Sequence, residues 1–83
     1  MTRDEEAQRI VAAVQDDYLK TRVLPDGSVA CLGELLYTRS IILGVSETGW
    51  GRRFCFENRQ LASRRFEELM SEDDEPAGFV AQR

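Results

Sequence analysis

Apolar residues recur at helical spacing near the N-terminus, at Ala7, Ile10, Val11, Val14 and Tyr18. That spacing gathers them on one face of an amphipathic helix. Asp4, Glu5 and Glu6 come just before, where the positive end of a helix dipole favours acids. Thr2 and Glu5 have the separation of a capping box. The pattern predicts a helix from about residue 3 to about residue 20, with Lys20 and Arg22 near its C-terminal end. Leu24-Pro25-Asp26-Gly27-Ser28 then reads as a turn, because proline fixes one backbone angle and glycine supplies a conformation other residues resist.

The middle of the chain changes period from helical to alternating. Arg39, Ile41, Leu43 and Val45 alternate with Thr38, Ser40, Ile42 and Gly44. After Ser46-Glu47-Thr48-Gly49, Trp50, Arg52, Phe54 and Phe56 alternate with Gly51, Arg53, Cys55 and Glu57. These runs are rich in β-branched and aromatic residues and predict a hairpin. A turn over 46–49 would pair Val45 with Trp50, Leu43 with Arg52 and Ile41 with Phe54. That register puts the bulky residues of both strands on one face, and a one-residue slip would undo it. Residues 28–36 fit a strand through Val29, Cys31 and Leu35, or a short helix through Val29, Leu32 and Leu36. A third strand is favoured, because an isolated hairpin is barely stable.

A second helix is predicted from about Asn58, its cap, to about Met70, with Ala62, Phe66, Leu69 and Met70 as its apolar stripe. Arg64 and Glu68 can pair across one turn. Glu72-Asp73-Asp74-Glu75 would repel the negative end of the dipole, and Pro76 disfavours helix before it. Residues 72–83 therefore read as an acidic, flexible tail, in which Phe79 and Val80 can add an edge strand. The expectation is one α+β domain over residues 1–83: an N-terminal helix, a hairpin or three-stranded meander, a second helix and an acidic tail.

Charge divides the chain in three. Residues 1–34 carry four basic and seven acidic side chains, residues 35–65 six arginines against Glu47 and Glu57, and residues 66–83 Arg83 against six acids, for a net −4. An arginine-rich middle thus lies between acidic ends, and ten of the eleven basic residues are arginine. The opening Met-Thr-Arg-Asp-Glu-Glu is unlike a basic, then apolar, signal peptide. Val29 to Val45 is broken by Glu34, Arg39 and Ser40 and makes no membrane span. Cytoplasmic location is the expectation, with Cys31 and Cys55 as free, buried thiols.

The chain has no histidine, which removes the commonest general base and metal ligand at neutral pH. Asp16 and Asp17 are adjacent, so on a helix they point apart. Ser40 can neighbour Cys55 across the hairpin, but neither has a base. The glycines at 44, 49 and 51 match no phosphate-binding fingerprint. The acidic run lacks the alternating ligands and central glycine of a calcium loop. No catalytic residue, metal or cofactor is expected.

Arg39, Arg52, Arg53, Arg59, Arg64 and Arg65, with Trp50, Phe54 and Phe56 interleaved, form the remaining candidate. Such a set suits single-stranded nucleic acid or a protein interface, where tryptophan and arginine dominate. The net negative charge favours protein. Trp50, Arg52 and Arg53 are the expected contacts, with Arg59 and Tyr37 beside them and Glu72, Asp73, Asp74 and Glu75 as an electrostatic rim. In size, acidity and lack of catalytic residues the chain resembles the short accessory proteins of phages and mobile elements. Anti-CRISPR inhibitors, which occupy a surface of a larger machine, are one such group. The resemblance implies a non-enzymatic inhibitory or regulatory protein-binding module. The alternatives are a small nucleic-acid-binding regulator and a homo-oligomer closed through Trp50 or a sheet edge.

Overall fold

A computed structural model describes residues 3–34 and 38–82; the Thr2 cap, the Leu35–Leu36 pair and Tyr37 lie outside the described residues. The chain is α+β. Helix α1 spans Arg3–Val14 and runs into a 3₁₀ turn at Gln15–Asp17. Strands β1 (Lys20–Val23), β2 (Val29–Glu34), β3 (Arg39–Leu43) and β4 (Arg52–Phe56) follow, then helix α2 (Arg59–Glu68) and a short strand β5 (Ala81–Gln82). Each strand pairs antiparallel with the next, in the order β1-β2-β3-β4-β5. The sheet therefore has five strands where two or three were expected.

Alternation along the strands builds two cores, one on each face. Ala30, Leu32, Ile41, Leu43, Phe54 and Phe56 pack with Ala62, Phe66 and Leu69 from the second helix and its exit. Val29, Cys31 and Ile42 point the other way, toward Ala7, Ile10, Val11, Val14 and Tyr18. Helix α2 packs across β2, β3 and β4, whereas α1 packs mainly against β1 and β2 and reaches Ile42 of β3.

The predicted hairpin register is the one observed, with Leu43 opposite Arg52 and Ile41 opposite Phe54. Val45 and Trp50 depart from it. Gly44 adopts φ +67°, a left-handed conformation that costs glycine little, and this breaks the alternation. Val45 then buries itself in the α1-side core and donates its N–H to the Val29 carbonyl at 3.2 Å. Asn58 caps α2 as expected, its Oδ1 accepting from the Leu61 N–H at 3.0 Å.

The first helix ends at Val14 rather than near residue 20. Asp16 and Asp17 would sit at the negative end of a longer helix, and the β-branched Thr21 and Val23 suit a strand. Lys20–Val23 instead pairs with β2 along Lys20↔Leu32 to Val23↔Val29. Residues 72–82 fold back on the domain. Pro76 is buried, Phe79 meets Phe54 edge-on with ring centroids 4.9 Å apart, and the Val80 N–H donates to the Cys55 carbonyl at 2.8 Å. The edge strand comes after Phe79 and Val80, because the Phe79 ring packs against the core cluster. Gly78, at φ +95°, makes the approach possible; a Cβ there would lie 2.6 Å from Leu61 Cδ2.

Candidate functional site

Most of the arginines bind their own chain. Arg39 reaches Ser63 Oγ at 2.9 Å and Glu34 at 3.5 Å. Arg59 pairs with the same Glu34 carboxylate at 3.0 Å. Arg65 donates to the Ala77 carbonyl at 3.2 Å and pairs with Glu68 at 2.9 Å. That pair replaces the expected Arg64–Glu68 contact, because the Ala77 carbonyl holds Arg65 at the half-buried flank of α2. Arg52 donates to the carbonyls of Glu72 and Asp74 and lies over the Phe54 ring, 5.3 Å from its centroid.

Arg52 and Arg53 point to opposite faces of β4, as neighbours on a strand must. Trp50 precedes the strand and is free of its alternation. The structure therefore divides the expected trio. Arg52 stays on the α2 side, while Trp50 and Arg53 meet on the α1 side, the guanidinium 5.3 Å from the indole centroid. Trp50 is 42 % exposed. Arg53 has no ion-pair partner among the described residues, and its Nε is buried without a protein acceptor.

Trp50 and Arg53 form one wall of a cleft of about 170 Å³, completed by Asp17, Tyr18, Gly33, Glu34, Ser40 and Ile42. The cleft exists because α1 stops short and its 3₁₀ turn drops Tyr18 onto the sheet. Gly33 accommodates the ring: a Cβ there would meet Tyr18 Cδ1 at 3.3 Å. Burial, then the neighbouring Cys31 and Asp17, hold the Tyr18 phenol above its ordinary pKa, while Arg53 pulls it down. Tyr18 is therefore a protonated hydrogen-bond donor at neutral pH. Sequence reasoning missed Asp17, Tyr18 and Gly33 as site residues. The usable signal was Gly33 itself, since an isolated glycine in a strand often marks a close approach.

The acidic run forms a separate feature. Glu72, Asp73 and Glu75 are exposed, but their backbone is pinned. Asp74 Oδ2 accepts from the Met70 and Ser71 N–H groups at 2.7 and 3.2 Å, and Asp26 Oδ2 accepts from the Glu72 N–H at 3.0 Å. The Ser28 hydroxyl, and then the Glu72 and Ser28 N–H groups, lower the Asp26 pKa from 3.8 to about 2 against the opposing effect of burial. A carboxylate whose pKa is depressed on folding stabilises above its unfolded value and loses that contribution as it protonates. Urea midpoints measured from pH 7 down to pH 2 are thus expected to show a loss between about pH 4 and about pH 2 that Asp26→Asn removes. The loss should stay below about 1 kcal/mol, because the group is only partly buried and solvent screens it. Identical acid limbs for the two proteins would show that Asp26 does not hold the segment.

Ser40 Oγ and Cys55 Sγ lie 3.7 Å apart, as the register implied. Cys31 and Cys55 are free and buried, and burial pushes the Cys31 thiol up to about 12, far from a reactive thiolate. Among the described residues no group of three or more Cys, Asp or Glu could hold a metal ion, and no helix is long and apolar enough to cross a membrane.

Fold and site together define an α+β protein with a helix on each face of an antiparallel meander and a small donor-rich cleft where one helix ends. Compared with protein-family models, curated proteins and solved structures, the chain matches none.

Proposed function

We propose that the chain is a non-enzymatic protein-binding module, regulatory or inhibitory, that docks on a larger partner through Trp50 and Arg53. The half-exposed indole under an arginine with no ionic partner carries this reading. Tryptophan and arginine in a partly desolvated pocket are the side chains that dominate interface energies. The exposed carboxylates of Glu72, Asp73 and Glu75, held by Arg52 away from the Trp50–Arg53 wall, suit long-range steering toward a basic surface and not a rim of that site. A nucleoprotein machine of the kind that phage-encoded inhibitors occupy is the proposed class of target.

The distribution of arginines counts against nucleic acid. Arg39, Arg52, Arg59 and Arg65 are engaged by their own chain, and the two faces of the sheet divide the rest. Among the described residues no continuous basic track remains for a phosphate backbone. A salt-sensitive gel shift with single-stranded RNA at physiological ionic strength would reverse this ranking.

The direct test is affinity capture from the native cell with tagged wild-type and Trp50→Ala chains. The variant is expected to lose the partner by tenfold or more while its unfolding free energy from urea titration moves by less than about 1 kcal/mol, as for an exposed substitution. Equal capture by both chains would reject the docking site.

A further inference from the structure

We infer that the cleft beside Trp50 is a pocket for a single carboxylate side chain, an aspartate or glutamate presented on a peptide segment of a protein partner. The inference rests on the docking reading above and names what the site grips. A volume of about 170 Å³ is below the roughly 300 Å³ at which small-molecule pockets begin, and suits one inserted side chain.

The chemistry of the walls selects an acceptor. Arg53, the Tyr18 phenol and the Ser40 hydroxyl line the cleft together with Trp50, and each can donate a hydrogen bond. Arg53 is the strongest donor and is left unsatisfied: its Nε is buried and unpaired, a state that costs energy until an acceptor arrives. A carboxylate completes a guanidinium with two parallel charge-assisted bonds. Its planar group would lie beside the indole on which Arg53 is already stacked.

The rim restricts the charge of the occupant. Glu34 borders the cleft, but Arg39 and Arg59 engage its carboxylate. Asp17 also lines the cleft and has no ion pair among the described residues. The lining thus carries one unpaired guanidinium and one unpaired carboxylate, so a single negative charge with a basic neighbour is matched and a run of phosphates is repelled.

The test uses the full chain and three probes at fixed ionic strength: the blocked peptides acetyl-Ala-Glu-Lys-Ala-amide and acetyl-Ala-Gln-Lys-Ala-amide, and a short oligothymidylate. The readouts are the Arg53 Nε–H and Trp50 indole N–H cross-peaks in proton–nitrogen NMR spectra. The glutamate peptide is expected to shift both signals saturably in the millimolar range that one small contact permits. The glutamine peptide should bind about tenfold more weakly or worse, because it loses the charged acceptor. Arg53→Gln should abolish the difference between the peptides. The comparison of the two peptides on the wild-type chain decides the matter even if that variant fails to fold. Equal shifts with both peptides, or none with either, would overturn the carboxylate pocket. If capture of a partner still depends on Trp50 in that case, the docking reading survives without it. Shifts of both signals by the oligonucleotide alone would overturn both.

Discussion

Replacing Phe54 with alanine is expected to leave the chain unfolded or close to it at room temperature. Phe54 is fully buried at a junction of the sheet. It faces Ile41 on β3 and Gln82 on β5, supports the Phe79 ring edge-on and carries Arg52 above it. A buried Phe→Ala change costs about 3–5 kcal/mol. A domain of 83 residues has a total stability of roughly 4–12 kcal/mol at the usual 0.05–0.15 kcal/mol per residue. The substitution thus removes a large part of the total and loosens the return of residues 76–82, which lies on that ring. Phe54→Leu keeps most of the volume and should cost only about 1–2 kcal/mol. Urea unfolding followed by circular dichroism separates the outcomes. A Phe54→Ala chain whose stability stays within about 1 kcal/mol of wild type would show that the two halves of the core do not depend on this ring.

The second large effect is expected at Arg52. Its guanidinium gathers the carbonyls of Glu72 and Asp74, which would otherwise lie apart from any donor of the sheet. Hydrogen bonds from a charged donor contribute about 1.5–3 kcal/mol each, and solvent access here favours the lower end. Arg52→Ala is expected to cost about 2–3 kcal/mol. It should also raise hydrogen exchange at the Glu72 amide, whose bond to Asp26 depends on the same placement of the segment. Arg52→Lys should recover less than half, because an ammonium lacks the planar fork that spans two carbonyls. Partner capture should survive in any Arg52 variant that remains folded, since Arg52 and the Trp50–Arg53 wall lie on opposite faces. Unchanged stability and exchange in Arg52→Ala would mean that Asp26 and Asp74 hold the acidic segment without it.

The two arginines show how a site can be legible residue by residue and illegible as a whole. Trp50, Arg52 and Arg53 stand out in the sequence because guanidinium and indole are typical anchors. Their adjacency suggests one patch. A strand turns neighbours to opposite faces, so one arginine serves the fold and the other borders the cleft. Tyr18 illustrates the reverse. Its place in a helical stripe marked it as core, and it does pack on the α1-side cluster, but from beyond the end of the helix, with its ring on Gly33, fifteen positions along the chain. No local pattern joins those two residues. Arg59 likewise sits beside the other arginines in the sequence, but Glu34 holds it at the far end of the sheet from the acidic turn.

Local repetition was enough for the α+β class, the pairing of β3 with β4, the Asn58 cap and the burial of both thiols. Period, capping and cross-strand matching are decided among near neighbours. The truncation of α1, the strand made from Lys20–Val23, the return of residues 76–82 and the cleft itself required the tertiary structure. Each depends on which distant group arrives to accept a hydrogen bond or cover a ring. That competition is settled only when the whole core closes.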